Sequence, residues 1–155
     1  MCCVFSLPCG GSSSANNSYA VINSFSVSGD ADPCTYTFCK ASSDICKLKI
    51  EFTSMVLADP VTYASGTAAT AILLGYSLGD CNTDTLTVTN PGGHVPPIIC
   101  GYNTGQHMWV PASDDCNQIN IDIATGSTAT TRSWNIKADL LEIFDEKSLY
   151  SSILS

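Results

Sequence analysis

Apolar and polar residues alternate along several short segments of the chain. The longest of these segments covers residues 45–57. Its apolar face consists of Cys46, Leu48, Ile50 and Phe52, and its polar face of Lys47, Lys49, Glu51 and Thr53. A period of two is typical of a β-strand with one buried face, because successive side chains of a strand point to opposite sides.

The same alternation, in shorter form, predicts further strands. They lie at 22–27, 34–38, 84–90, 98–100, 108–110, 118–124 and 133–138. Turn sequences that contain Gly or Pro separate many of them, at 29–30, 90–93, 96–97 and 126–127. Short strands divided by such turns are typical of a β-sandwich or a jelly roll.

Two segments do not share this pattern. Residues 59–79 are rich in Gly, Ala and Thr, and we interpret them as a long loop between strands. From Asp139 onwards the apolar residues lose the two-residue period. Residues 139–155 are therefore predicted to form a C-terminal tail that is either a short helix or disordered.

The amino-acid composition indicates one folded domain and argues against nucleic-acid and membrane binding. A chain of 155 residues with 45% hydrophobic content is long enough for one domain with a buried core. Lys and Arg number 6 against 14 Asp and Glu, which gives a net charge of -8. So few basic residues provide no surface that neutralises phosphates or anionic lipids, and we expect neither a nucleic-acid nor a membrane partner.

Nine cysteines in a chain of this length favour disulfides and an oxidising compartment. No C-x-x-C pair accompanies them, so a zinc site is not favoured. Residues 1–8 lack the basic region and the apolar run of a complete signal peptide. Because an odd number of cysteines leaves one thiol over, we interpret the chain as a fragment or an incomplete gene model.

A G-x-S-x-G match at 75–79 raises the hypothesis of a serine hydrolase with Ser77 as its nucleophile. The base would be His94 or His107. However, the motif requires a helix after the serine, whereas a threonine-rich strand is predicted to follow. We therefore interpret both histidines as surface or packing residues and predict no catalytic site.

The cysteines and their neighbours define a recognisable order of motifs. The chain has C-G-G at 9–11, a cysteine that opens an aromatic strand at 34–38, the strand KLKIEF, C-x-x-D at 81–84 and an apolar-C-G at 99–101. This order resembles the CUB domain, and the resemblance covers residues 9–137. The phrases TDTLTVTNPGG, IICGYNTGQHMWV and RSWNIK look like the arthropod branch of that family.

The resemblance implies a secreted all-β domain, an antiparallel jelly-roll β-sandwich stapled by disulfides. It implies the bridges Cys9–Cys34 and Cys81–Cys100. It also implies a CUB-like domain at 9–138, between an N-terminal segment at 1–8 and the tail.

The other cysteines are placed by their positions in the sequence. The short loop KASSDI between Cys39 and Cys46 makes a local bridge between these two a candidate pair. Cys116 would then pair with Cys2 or Cys3 and leave one thiol over.

Many CUB domains hold Ca²⁺ with a Glu, the C-x-x-D aspartate and a later Asp, so the resemblance raises the question of a calcium site. Asp84 occupies the C-x-x-D position, but the position of the Glu falls on Ala58, next to Asp59. The position of the later Asp falls in Ala-Thr-Gly at 124–126. Calcium requires about six oxygen ligands. We therefore expect no cofactor, with Asp59 and Asp84 as the residues to test and a turn aspartate as the other interpretation of Asp84.

CUB domains generally bind proteins or glycans, so the resemblance implies a non-enzymatic recognition or structural module whose partner, an unknown protein or glycan, binds loops of the sandwich. The exposed aromatic candidates for that contact are Tyr102, His107 and Trp109. Asn16 heads an N-glycosylation sequon that is meaningful if the chain is secreted. The alternative is a CUB fragment of a larger secreted protease. No oligomeric state is predicted.

Overall fold

The computed structural model describes residues 5–14, 17–25, 33–62, 75, 77–93, 95–123 and 132–142. The regular elements in these ranges are the strands β1 (Phe5–Leu7), β2 (Ser12–Ser13), β3 (Asn17–Phe25), β4 (Cys34–Phe38), β5 (Ile45–Val56), β6 (Thr85–Thr89), β7 (His107–Pro111), β8 (Asn117–Asp122) and β9 (Arg132–Glu142). Within the same ranges, no helix has the length and apolar character needed to cross a membrane.

The strands form two sheets. Sheet A has five strands in the order β1-β3-β9-β5-β7, and sheet B has four in the order β2-β4-β8-β6. Neighbouring strands are antiparallel, except that the short outer strands β1 and β2 run parallel to β3 and β4. Buried apolar residues from both sheets form one core between them. The prediction of an all-β sandwich is confirmed.

Strand β5 shows how the alternation builds the core. Its residues Leu48, Ile50 and Phe52 are buried. The pairing with β9 shifts register between Phe52 and Ser54, so that Met55 becomes the next core residue. A second shift, between Ile45 and Lys47, places Ile45 in the core and leaves Cys46 half-buried, which the strict alternation did not predict.

The folded region extends beyond both predicted boundaries. Residues Phe5–Leu7 pair with β3, and Leu7 is buried, so part of segment 1–8 belongs to the fold. Strand β9 continues to Glu142, with Leu140 in the core opposite Leu48, so the tail does not begin at Asp139. The apolar neighbour Leu141 obscures the two-residue period there. Residues 143–155 lie outside the described residues.

The two ends of the long loop at 59–79 are joined to each other by a short backbone pairing. The N–H of Val61 donates to the carbonyl of Asp80, and the N–H of Gly79 donates to the carbonyl of Val61, both at 2.9 Å. Residues 63–74 and 76 of this loop are outside the described ranges. The strand predicted at 98–100 is reduced to a single bridge between Ile99 and Leu86.

A hydrogen bond between two aromatic side chains joins the sheets inside the core. Trp134 of β9 donates its indole Nε1–H to the hydroxyl of Tyr36 in β4 at 2.9 Å, and both residues are buried. Burial raises the pKa of Tyr36, while the bond from Trp134 acts in the opposite direction. Each ring thereby buries its polar atom without losing a hydrogen-bond partner.

Three disulfides link described residues. They are Cys9–Cys34, Cys81–Cys100 and Cys39–Cys116. The first two are the bridges that the resemblance implies. Cys46 is a free thiol among the described residues, while Cys2 and Cys3 lie outside them.

The candidate bridge between Cys39 and Cys46 is wrong, and the sheet register explains why. Phe38 at the end of β4 faces Asn117 at the start of β8. One step further along this antiparallel pair, Cys39 faces Cys116, and their Cα atoms are 4.3 Å apart. Cys46 lies in β5 and therefore in the other sheet.

Substitution Tyr36→Phe is expected to lower the free energy of unfolding by about 1–3 kcal/mol, because it leaves the buried Trp134 Nε1–H without an acceptor. Urea denaturation measures the change. The matched control is Tyr102→Phe, in which the parent side chain is 72% exposed, with an expected change below about 0.5 kcal/mol. Equal effects of the two substitutions would show that the buried bond adds nothing to stability.

Replacing Cys39 and Cys116 together by Ser is expected to cost about 2–5 kcal/mol of stability, because their bridge closes a long loop in the unfolded chain. The loop spans 77 residues. Substitution Cys46→Ser serves as the control and should leave the disulfide pattern intact. A non-reducing peptide map that links Cys39 to Cys46 would contradict this assignment, as would unchanged thermal unfolding after complete reduction.

Candidate functional site

One end of the sandwich brings together several of the residues that the sequence singles out. We call it the Asp84 end. Strand β5 finishes here, β6 and β9 begin here, and residues 95–102 run alongside. Val56 forms a bridge with Tyr102, and the N–H of Leu57 donates to the carbonyl of Gly101 at 3.0 Å. The end of sheet A is thus bonded directly to the segment that contains Cys100 of the Cys81–Cys100 bridge.

Asp84 and Arg132 form a buried ion pair at this end. Asp84 is 0% and Arg132 2% exposed. Oδ1 of Asp84 accepts a hydrogen bond from Nη2 of Arg132 at 3.0 Å, and Oδ2 accepts one from Nε. Oδ2 also accepts the backbone N–H of Ala58 at 2.8 Å. The two fork-like groups match each other, and the guanidinium neutralises the carboxylate within the protein interior.

The residues present do not fit a calcium ion. Both oxygens of Asp84 are already bound by Arg132, whose positive charge would repel a second cation at the same place. Ala58, at the position of the expected Glu, offers Asp84 only its backbone N–H, and Asp59 beside it is exposed. In the part of the chain that the structure describes, no three or more His, Cys, Asp or Glu side chains are grouped to hold a metal.

Residues 95–102, which we call the apolar loop, expose large hydrophobic side chains. Val95 is 88%, Ile98 61% and Tyr102 72% exposed. Pro96, by contrast, is buried. Several apolar side chains so close together on a surface are characteristic of sites that bind other molecules, whereas scattered ones need no explanation.

The backbone of the apolar loop is held firmly despite its exposed side chains. Ile99 and Leu86 exchange two hydrogen bonds of 2.9 and 2.7 Å. Cys100 is bonded to Cys81, and the N–H of Gly101 donates to the carbonyl of Ala58 at 2.9 Å. The loop therefore presents its side chains without a large loss of backbone freedom on binding.

A glycine is needed at position 101 because the segment that follows β5 approaches its backbone closely. Its φ is +78°, a region that residues with a side chain rarely adopt. A Cβ atom here would lie 3.3 Å from Cδ of Pro60 and 3.6 Å from Oδ1 of Asp59. The glycine thus fixes the spacing between the apolar loop and Asp59.

The segment around Ser77 is a tight turn and not a nucleophile elbow. The N–H of Ser77 donates to Oδ2 of Asp80 at 2.8 Å, and the N–H of Asp80 donates to the carbonyl of Ser77 at 3.1 Å. The chain then continues into β6 instead of a helix. His107 opens β7, where it faces Glu51, and His94 lies outside the described residues. Within the described chain, the hydrolase hypothesis therefore has no supporting geometry.

This turn also contributes to the surface next to the apolar loop. Gly79, Asp80 and Cys81 line a shallow cavity of about 340 Å³ together with Ile98 of the loop. Leu78 in the same turn is 38% exposed. The apolar loop and the turn therefore border the same shallow cavity.

The other predicted contact residues lie elsewhere, on the outer face of sheet A. Trp109 of β7 is opposite Lys49 of β5, whose Nζ lies 5.9 Å from the centre of the indole ring. Lys49 also forms an ion pair of 2.9 Å with Glu51, opposite His107. The structure thus places Tyr102 at the Asp84 end and the other two predicted aromatic contacts on β7.

Sequence reasoning missed Arg132. It is the single arginine of the chain and stands directly before the predicted strand 133–138. An arginine is rarely buried unless it is paired with an acid, but nothing in the sequence shows that Arg132 is buried. The identity of its partner, Asp84, depends on how the two sheets stack and has no local signature.

The fold can be compared with solved structures. No profile of a known protein family and no curated protein matches the sequence. The CUB2 domain of MASP-1 in its Ca²⁺-bound form matches with a TM-score of 0.54 and 11% identity, over 84% of this chain and 98% of that one. The CUB1-EGF-CUB2 fragment of rat MASP-1 matches with a TM-score of 0.58 and 8% identity, over 93% and 45%. The extracellular region of zebrafish Gpr126/Adgrg6 matches with a TM-score of 0.52 and 11% identity, over 92% and 15%.

These likenesses define the class of the fold. The described strands form a disulfide-stapled β-sandwich with the architecture of a CUB domain. At identities of 8–11% the likeness concerns the fold alone. The chain spans nearly all of the first of these structures, but less than half of the second and a small part of the third.

The ion pair on sheet A gives a pH-dependent prediction. The hydrogen bond and charge of Lys49 hold the pKa of Glu51 below its ordinary 4.5, with smaller effects of Lys137 and His107 in the same direction. Because the pKa of Glu51 is lower in the folded state than in the unfolded state, its ionised carboxylate stabilises the fold when the pH is above the unfolded pKa. This stabilisation is lost as the pH falls through the folded pKa.

NMR titration of the Glu51 carboxyl in the wild type and in Lys49→Met measures this effect. The pKa is expected to rise towards 4.5 in the variant. Substitution Lys47→Met removes a charge from the same strand and serves as the control, since the ion pair of Glu51 involves Lys49. An identical Glu51 pKa in the wild type and in Lys49→Met would contradict the assignment.

Proposed function

We propose that this domain is a secreted, non-enzymatic recognition module that binds a protein partner through the apolar loop. The observation that carries this proposal is the exposure of Val95, Ile98 and Tyr102 on a backbone fastened by the Cys81–Cys100 bridge and by hydrogen bonds to β6. Tyrosine is a frequent anchor of protein–protein interfaces, and a rigid backbone reduces the entropy lost on binding.

The surroundings of the loop indicate the charge of the partner. Asp59 lies beside Gly101, Asp80 lies beside Ile98, and both acids are exposed. The chain as a whole carries a net charge of -8. A partner surface with an apolar centre and a basic rim would complement this arrangement and associate faster at low salt.

A protein fits this surface better than a glycan does. Sugar recognition relies on several polar groups placed around an aromatic ring, whereas the apolar loop offers two aliphatic side chains and one tyrosine. Trp109, next to Lys49, is the aromatic residue at which glycan binding would be sought first.

A secreted location is supported by three disulfides, because these persist in oxidising compartments. Membership of the arthropod branch rests on the sequence phrases alone. The alternative, a module of a larger secreted protease, is compatible with the multidomain chains in which this fold also occurs.

The test uses the oxidised, folded chain as bait against a displayed library of extracellular proteins and a glycan array. For a captured protein, Ile98→Ser and Tyr102→Ser are each expected to raise the Kd at least about tenfold, which corresponds to about 1.4 kcal/mol. Trp109→Ser serves as the control and should change the Kd less than about twofold, well under 1 kcal/mol.

Two results would overturn the proposal. One is a protein partner whose Kd is the same for the wild type, Ile98→Ser and Tyr102→Ser. The other is selective glycan binding that is lost in Trp109→Ser and retained in both loop variants, which would move the binding site to the outer face of sheet A.

A further inference from the structure

Asp84 is a buried carboxylate that needs a compensating positive charge, and the chain supplies that charge itself. A carboxylate that is 0% exposed requires a positive charge or several hydrogen-bond donors, because burying it alone is very unfavourable. One solved structure with a similar fold, the CUB2 domain of MASP-1, is a Ca²⁺-bound form. Here the charge on Asp84 is balanced by Arg132.

The position of Arg132 allows it to connect separate parts of the sandwich. It is the first residue of β9 in sheet A, whereas Asp84 immediately precedes β6 in sheet B. The same carboxylate holds the backbone of Ala58, just beyond the end of β5. A single buried carboxylate and guanidinium therefore tie three chain segments together, as a bound metal ion would.

We propose that the Arg132 guanidinium is a built-in structural cation that takes the place of a divalent metal ion at the Asp84 end. The site then needs no ion from solution. Because the guanidinium is part of the chain, a chelator cannot remove it. This inference concerns the fold of the Asp84 end and does not depend on the proposed protein partner.

The arrangement also controls how the apolar loop is presented. Ala58 accepts the N–H of Gly101 through its carbonyl while it donates its own N–H to Asp84. One residue thus links the ion pair to the loop. The loop should therefore keep its position in the absence of calcium, and breaking the ion pair should loosen its attachment to Ala58.

The first experiment compares the wild type in millimolar CaCl₂ and in excess EGTA. We expect the same Tm in both solutions and no heat of binding on calorimetric titration with CaCl₂. A calcium-dependent rise in Tm, or a saturable calcium-binding heat, would overturn the proposal. This measurement needs no variant and is independent of how well any variant folds.

The second experiment tests the pair itself by a double-mutant cycle. Arg132→Met keeps the length of the side chain, removes the charge and strands the buried carboxylate, so its Tm should fall by roughly 10 °C. Adding Asp84→Asn to this variant removes the stranded charge and should restore a large part of the loss. Arg132→Lys keeps the charge without the planar fork and should lie between the wild type and Arg132→Met.

The exposed pair Lys49 and Glu51 provides the matched control. The cycle built from Lys49→Met and Glu51→Gln should show little coupling, because solvent screens that pair. If the Arg132 and Asp84 substitutions are simply additive in Tm, as expected for the control pair, the arginine is not acting as a structural cation and the proposal fails. If Arg132→Met cannot be purified folded, Arg132→Lys and Asp84→Asn decide the question by the same comparison of Tm values.

Discussion

The Asp84 end of this domain depends on the need to bury one carboxylate without leaving its charge uncompensated. Arg132 meets that need from the opposite sheet, and the backbone of Ala58 meets it from the end of β5. Because the carboxylate has these partners, the ends of both sheets and the loop at 95–102 are held in one arrangement. Removing one partner of a buried ion pair strongly destabilises the fold, because the other charge stays buried. Compared with apolar residues of similar size, however, the intact pair adds little net stability. Its value here is to specify how the sheets align.

At the opposite end of the sandwich, neutral side-chain amides join the two sheets. Asn90 and Asn117, both buried, donate their side-chain amides to the same backbone carbonyl of Pro111, at 3.0 and 3.3 Å. The Cys39–Cys116 bridge lies at this end as well, at the junction of β4 and β8. Between the two ends, the bond from Trp134 to Tyr36 fixes the middle of the core. The two sheets are thus joined at three levels by three kinds of interaction.

The sequence predicted strands β4 to β9 well, because burial of one face leaves a direct trace in the order of residues. It did not predict β1 and β2, and β3 spans 17–25 instead of the predicted 22–27. Strand β4 was located at its observed bounds, and β5 within one residue. The register shifts in β5 and the continuation of β9 past Asp139 were missed, since an extra residue or an apolar doublet interrupts the period. Two disulfides followed from resemblance, but Cys39–Cys116 required the register of β4 on β8. The Arg132–Asp84 pair was missed because it depends on the stacking of the sheets, and no local pattern records that.

The pairing of Val61 with Gly79 and Asp80 has a consequence for how this protein can change. Both ends of the chain excursion between these residues are fixed to each other by two backbone hydrogen bonds. Since the ends are held at a constant separation, the length and composition of the excursion can vary without transmitting strain to the sheets, and closing a longer loop costs little extra entropy. The excursion is therefore a natural place for insertions during evolution, and a site at which an epitope tag or a second binding segment can be grafted onto the sandwich.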